Sequence, residues 1–373
     1  MKKKLKICII SEYAYSSIKN IGVGAGGAEL QMVLLAKGLV KRDYDVNFVT
    51  FGNSGNSFEK ISGINVFMPY NVQNRGYKHF YPLKLYKLFK LLITIDADIY
   101  VQRAGSPLTG IISFVSRLKN KKFIYCVSSN DNVTNAIKIK DISDMGKFFF
   151  KYGIKNSNCV VCQTKFQKKL LKMNLSKKGV VIKNIFNSDE KEIESTNGDT
   201  ILWVGRIIKG KSPELFLKLA QELPEYNFKM IGGPKHGNET YYNEIKDKAD
   251  KIKNLSFLGF IPHNQIEKYY MDACLFINTS SSEGFPNTFL EAWNFRIPIL
   301  SLKFDPDNLI TKYEMGYYCD DFDKLLKRTK KLLEDTVLRN KMGYNGQKYV
   351  SKEHEAKKII SKYEKLFQMV MTR

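Results

Sequence analysis

The chain has 373 residues, with 60 lysines and arginines against 37 aspartates and glutamates, a formal net charge of +23. A hydrophobic fraction of 43% and an aromatic fraction of 13% exclude a disordered or collagen-like chain. The length suits two domains, each with its own core, and the charge points to a polyanionic partner: nucleic acid, an anionic membrane surface or a phosphorylated ligand.

The opening run, Met1 to Ile10, mimics a signal peptide, but its apolar part stops at Ser11-Glu12, too soon for one. It reads as a first buried strand. Further strand-like runs follow at 45–51, 64–69, 98–103, 123–128, 159–164 and 180–184. Helical patterns lie between them at 28–41, 80–94, 106–118, 145–157 and 165–173. A polar stretch at 187–200 reads as a linker or surface loop. The pattern then restarts, with strands expected at 201–205, 227–233, 255–260, 274–279, 297–302 and 317–320, and a charged helical end after 321. Continuous apolar strands separated by amphipathic helices predict parallel sheets covered on both faces. The expected fold class is α/β, two Rossmann-like doubly wound domains facing a central cleft. The expected boundaries are 1–190, 191–350 and a last helix, 351–373, crossing back to the first domain.

No apolar run approaches the ~20 residues of a spanning helix. The cysteines sit in strand-like runs. The spacing Cys159-Val160-Val161-Cys162 has no second pair beside it, so buried, reduced thiols are expected, and a cytoplasmic protein.

Three segments carry chemistry. Gly22-Val23-Gly24-Ala25-Gly26-Gly27-Ala28-Glu29 matches a dinucleotide fingerprint loosely, but it lies ten residues beyond the first strand. The second strand also lacks the carboxylate that would hold a ribose. A glycine loop opening a helix and offering amides to a ligand fits better. In Gly205-Arg206-Ile207-Ile208-Lys209-Gly210-Lys211-Ser212-Pro213, Ser212 suits an N-cap and Pro213 a first helical position. Arg206, Lys209 and Lys211 then crowd a strand's carboxyl end, where a diphosphate would lie. In Ser282-Glu283-Gly284-Phe285-Pro286-Asn287-Thr288-Phe289-Leu290-Glu291, a buried strand runs into a small-residue loop and a proline starts a helix. Its amides form an anion site, and its two glutamates suit vicinal hydroxyls of sugar or ribose.

Glu283-Gly284-Phe285-Pro286-Asn287, with Glu291 eight residues after Glu283, resembles the EX7E motif of retaining glycosyltransferases of family 4. Gly26-Gly27-Ala28-Glu29 resembles that family's GGxE loop, and Arg206 with Lys211 its diphosphate clamp. Order and spacing match along nearly the whole chain. The resemblance implies a GT-B fold, with a nucleotide-sugar donor in the C-terminal domain and a glycan or lipid-linked acceptor mainly on the N-terminal one. It implies that Arg206 and Lys211 neutralise the donor diphosphate and that Lys209 faces solvent. Glu291 is implied to bind the ribose, and Glu283 the donor sugar with amides from Gly284, Phe285, Asn287 and Thr288. Phe260 and Ile261 are implied to flank the base, and Gly26 and Gly27 to approach the phosphate. It further implies retention of configuration, the leaving diphosphate taking the acceptor proton, with no cofactor and no essential metal. The triplets Asp96–Asp98 and Asp305–Asp307 therefore read as structural. His263 reads as a surface histidine at a helix start. The family's histidine after the fifth strand is absent, which leaves Ser129, Asp131, Gln102 and Arg103 as acceptor-side candidates.

Residues 1–190 hold 31 basic against 12 acidic residues, +19, whereas the remainder holds 29 against 25, +4. The excess lies on the presumed acceptor side. Within it, Lys84, Lys87 and Lys90 recur at helical spacing among aromatics, and 138–178 is a second lysine-rich stretch. They read either as a solvated helix face or as a surface resting on anionic lipid, which would place the protein at the inner face of the membrane. A catalytically silent partner subunit and a sugar-nucleotide epimerase are the alternative functions. Nucleic-acid binding has charge alone in its favour and no recognition motif.

Overall fold

The structure, a computed structural model, describes residues 4–19, 26–52, 57–69, 82–134, 143–187, 198–234 and 237–372, with only the backbone of 82–84. Gly22, Gly24, Lys138 and most of the 187–200 stretch lie outside these. Two compact units are present. The first comprises Met1–Ile185 with Ala356–Arg373, and the second Phe186–Glu355.

The first unit is built on β1 (Lys6–Ile10), β2 (Asp45–Val49), β3 (Ser57–Ile61), β4 (Ile64–Met68), β5 (Ile99–Arg103), β6 (Lys122–Cys126), β7 (Cys159–Cys162) and β8 (Gly179–Val181). Their order across the sheet is β3-β4-β2-β1-β5-β6-β7-β8. All neighbours are parallel except β3 and β4, which form an antiparallel edge hairpin. The sequence reading missed β3. Its residues alternate between half-buried and exposed, an edge strand's pattern rather than a continuous apolar run. Ser62 (φ 49°) and Gly63 (φ 81°) make its two-residue turn, both in the left-handed region that hairpin turns of this length require.

One face of this sheet buries Ile7, Ile9, Val46, Phe48, Val101 and Ile124 under the helix Gly27–Val40 and the last helix, Ala356–Met371. Ile359, Ile360, Tyr363, Phe367 and Val370 of the last helix belong to that core. The other face buries Cys8, Ile10, Tyr100, Tyr125, Phe150 and Ile154. There the helices Leu108–Leu118 and Asp144–Asn156 meet almost backbone to backbone. A Cβ on Gly153 would fall 2.4 Å from the Thr109 carbonyl oxygen, and one on Gly110 2.7 Å from that of Phe149. Cys159 and Cys162 are both buried in β7, and burial pushes the Cys162 thiol up to about 12.

The second unit is built on β9 (Thr200–Val204), β10 (Phe228–Ile231), β11 (Leu255–Gly259), β12 (Ala273–Asn278), β13 (Ile299–Leu302) and β14 (Gly316–Cys319), ordered β11-β10-β9-β12-β13-β14 and parallel throughout. Successive strands run outward from β9 on one side, then restart beside it with β12. The switch in strand order falls between β9 and β12, and ligands of open α/β sheets bind outside the carboxyl ends at such a point. The first unit has its own switch between β1 and β5. Among the described residues, no helix is long and apolar enough to cross a membrane.

Candidate functional site

In the second unit, the loops leaving β9 and β12 meet at the switch point. The end of β9 lies tight against β10: a Cβ on Gly232 would fall 1.8 Å from the Gly205 carbonyl oxygen. Arg206 follows, exposed, and Ile207 returns to the core. A 3-10 turn, Lys209–Lys211, leads to Ser212 and the helix Pro213–Glu222. Pro213 is at the first helical position, as expected. Ser212 occupies the N-cap position without capping. At φ 46° it is left-handed, and its hydroxyl turns back to the Lys209 carbonyl at 3.4 Å.

The turn is fastened by its carbonyls to the loop after β12. Thr279 Oγ1 donates to the Lys211 carbonyl at 2.6 Å and accepts from the Trp203 indole at 2.9 Å. Ser281 donates both its amide (3.1 Å) and its hydroxyl (3.2 Å) to the Gly210 carbonyl. These fastenings place the Lys211 ammonium on the Glu283 carboxylate, a hydrogen-bonded ion pair. The two charges expected separately, one for phosphate and one for sugar, are thus brought together. Lys209 stays exposed, 6.0 Å above the Tyr241 ring.

Pro286 precedes the helix Asn287–Asn294 rather than starting it. Gly284 is buried, and Asn287 and Thr288 are half-buried at the helix start. Phe285 was expected to offer its backbone amide, and its side chain is turned away from the loop surface. Its ring is 6% exposed, packed in the core 5.1 Å from the His354 ring, so only its backbone can serve a ligand. Glu291 is the most elaborately held group. Its Oε2 accepts from the Tyr270 hydroxyl at 2.7 Å, and its Oε1 lies 3.1 Å from His263 Nε2. The sequence reading set His263 apart from the site and did not find Tyr270. The signal for Tyr270 was a tyrosine placed just before the most buried strand. Phe260 is exposed just past β11, with Ile261 half-buried beside it.

In the first unit, Gly26 is the N-cap of the helix Gly27–Val40. Its amide donates to Glu29 Oε2 at 2.9 Å, the glutamate half of a capping box, which engages one of the two amides expected for phosphate. Gln102 and Arg103, adjacent in β5, point to opposite faces. Both are buried. Arg103 Nη2 donates to Asn184 Oδ1 at 2.8 Å, and burial lowers its pKa. Gln102 Oε1 is buried and accepts no hydrogen bond among the described residues. The two acceptor-side candidates of β5 are thus both buried side chains at the end of that strand. Ser129 caps the 3-10 turn Asn130–Val133 by accepting from the Asp131 amide at 3.2 Å, with Asp131 half-buried on that turn. Glu12, which the sequence reading passed over, lies just past β1 with its carboxyl on the Ser106 hydroxyl.

The Asp triplets are structural in position. Asp98 accepts from the Lys6 amide at 2.9 Å, and Asp305 from the Ile310 and Thr311 amides. Among the described residues, no group of three or more potential metal-binding side chains is assembled. Lys87 and Lys90 are exposed on the helix Pro82–Ile95.

Residues 25–190 match the family described as Glycosyltransferase Family 4, and residues 184–349 the family described as glycosyl transferases group 1. An uncharacterised glycosyltransferase of Haemophilus influenzae is 23% identical over 363 residues, covering 93% of this chain and 97% of the relative. The O-antigen biosynthesis glycosyltransferase WbnH of Escherichia coli is 28% identical over 227 residues, 60% of this chain and 63% of the relative. The structure of HepE from Anabaena, in complex with UDP and glucose, matches with a TM-score of 0.74 at 16% identity, covering 98% of this chain and 100% of that one. Two matched stretches that meet near residue 187, two parallel α/β units and these neighbours agree: the chain belongs to the family 4 glycosyltransferases of GT-B fold.

Proposed function

We propose that this glycosyltransferase is of the retaining, hexosyl-transferring kind. It moves a sugar from a UDP- or GDP-sugar to a glycan or lipid-linked acceptor in bacterial cell-surface polysaccharide or glycoconjugate synthesis. The observation that carries the reading is the convergence of Lys211 and Glu283 across the β9–β12 switch point, the position where an open α/β sheet binds nucleotides. The neighbour with UDP and glucose bound favours a UDP-sugar, and the O-antigen relative favours a glycan acceptor.

In this reading Arg206 and Lys211 stabilise the diphosphate as negative charge develops on it, together with the amides at the start of the helix Asn287–Asn294. Glu291 holds the ribose, Phe260 and Ile261 flank the base, and Glu283 passes from Lys211 to the donor sugar. The bond from the anomeric carbon to the phosphate oxygen breaks as that carbon joins the acceptor oxygen on the same face. The acceptor proton goes to the leaving phosphate. The reaction uses no cofactor and no essential metal.

The test is donor turnover. Lys211→Ala and Glu291→Ala should each lower it by roughly 10²–10³. Unchanged turnover sinks the reading, and conversion of donor to another sugar nucleotide without acceptor replaces it with an epimerase. A thermal-shift screen of nucleotide sugars identifies the donor, since the matching one stabilises the fold by mass action. A peripheral membrane location is proposed on the exposed Lys87 and Lys90 and the +19 of residues 1–190. Flotation with anionic liposomes at low salt should retain the protein, and Lys87→Gln with Lys90→Gln should reduce retention. Absence of retention removes the proposal.

A further inference from the structure

Glu291 presents an electrostatic problem to a nucleotide. It is a carboxylate with a side chain only 12% exposed, expected beside an anionic diphosphate. Lys211, the cation expected to serve the same nucleotide, is already paired with Glu283. The structure surrounds Glu291 with two donors of different character. Tyr270 is 1% exposed and its ring is stacked on Phe295, with centroids 5.8 Å apart and planes within 5°, and on Phe276 at 6.2 Å. Its hydroxyl is fixed by packing. Burial and the Glu291 charge hold that phenol well above its ordinary range, so it remains a neutral donor at every working pH. His263 is the opposite. It lies in a 3-10 turn, His263–Gln265, after Pro262, and its side chain is 63% exposed.

We propose that His263 is a pH-sensitive positioning residue for nucleotide binding. In its protonated form it neutralises and orients Glu291 against the fixed Tyr270 hydroxyl, and nucleotide affinity falls as His263 loses its proton. The proposal rests on the reading of Glu291 as the ribose-binding residue. Around His263, the helix Asn287–Asn294 presents Glu291, and the helix Glu267–Met271 presents Tyr270, which bonds the same carboxylate. The hydrogen bond to Glu291 raises the His263 pKa above its ordinary value of 6.5, with burial acting against it and the Glu291 charge adding to it. The change therefore falls on the alkaline side of 6.5. Affinity is full below that range and is lost as pH rises through it.

The experiment titrates UDP, and separately GDP, into the full chain by calorimetry at about pH 6 and about pH 8.5. Wild type is compared with His263→Gln, which keeps a donor but not the charge, and with Tyr270→Phe and Glu291→Ala. The nucleotide's own terminal-phosphate titration is common to all and cancels in the comparison. Wild type should weaken by about three- to tenfold more between the two pH values than His263→Gln. Tyr270→Phe should weaken binding at both values and keep the pH dependence. Proton NMR follows the same residue without nucleotide. The chain has four histidines, and the imidazole signal lost in His263→Gln should titrate at lower pH in Glu291→Ala. If Glu291→Ala leaves affinity unchanged, or neither nucleotide binds, the ribose reading itself fails. If Glu291→Ala weakens binding while wild type and His263→Gln share one pH dependence, the inference about His263 alone is overturned.

Discussion

Glu12 shows how a single side chain can carry a cost that the sequence conceals. Its main chain is pinned, the carbonyl accepting from the Phe51 amide at 2.8 Å and from Thr50 Oγ1 at 3.1 Å. Burial pushes the carboxyl up to about 7. The Ser106 hydrogen bond opposes that rise, and the Glu29 charge adds to it. A carboxyl whose folded pKa lies above its unfolded value stabilises the fold when protonated. That contribution is lost as pH rises from the ordinary carboxylate range, 4.5, to about 7. Glu12→Gln, neutral throughout, should therefore gain melting temperature relative to wild type by roughly 2–4 °C more at pH 8 than at pH 5. An equal shift at both values would remove burial as the cause. Glu12 was not legible because the groups that bond it, Thr50 and Ser106, come from chain segments 38 and 94 residues away. Lys211, Glu283 and Glu291 were legible because one turn and one helix start place them, and those are local. Their partners were not. The Lys211–Glu283 pair and the fastening of Thr279 to Lys211 span about 70 positions of chain.

At the scale of elements, thirteen of the fourteen described strands were visible as apolar runs, most plainly those buried on both faces, which have no polar alternation to confuse them. The missing one, β3, is the edge strand, whose polarity is what an exposed edge demands. Helix contacts were invisible for a different reason. Nothing in the sequence marks Gly153 and Gly110 as the places where two helices touch. The structure shows that the contacting atoms are main-chain carbonyls, which cannot rotate away as a side chain would. Gly153→Ala should therefore destabilise by about 1–3 kcal/mol, as overpacking does, although alanine is the better helix former. Urea unfolding checks this. A neutral or stabilising alanine would mean that the helix pair can slide apart without loss.

At the scale of the whole molecule, the last helix is part of the first unit's core rather than an appendage of the second. The helix Gly27–Val40 receives it closely: a Cβ on Gly38 would fall 2.5 Å from Ile360 Cδ1, and Arg42 pairs with Glu364 at 2.6 Å. Ending the chain at Glu355 removes Ile359, Ile360, Tyr363 and Phe367 from that core, where they pack on the helix Gly27–Val40 and reach Cys126 of β6. Hydrogen exchange should then show protection falling in β1, β2 and β4 while β9, β12 and β13 keep theirs. Loss of protection in both sheets together would mean that the two units unfold as one. Saturating nucleotide offers the converse measurement, since mass action should slow exchange first around β9 and β12.

The crossing at Ile185–Phe186 and the return at Glu355–Ala356 also set an order of events during synthesis. The second unit is one uninterrupted stretch and can complete its core as soon as it has left the ribosome. The first unit emerges earlier yet cannot finish. Part of one face of its central sheet waits, apolar and uncovered, until the helix Ala356–Met371 has left the ribosome. The part of the protein made first is thus the part completed last. A chain stalled or truncated near its end presents the cell with an open hydrophobic sheet rather than with a shortened enzyme.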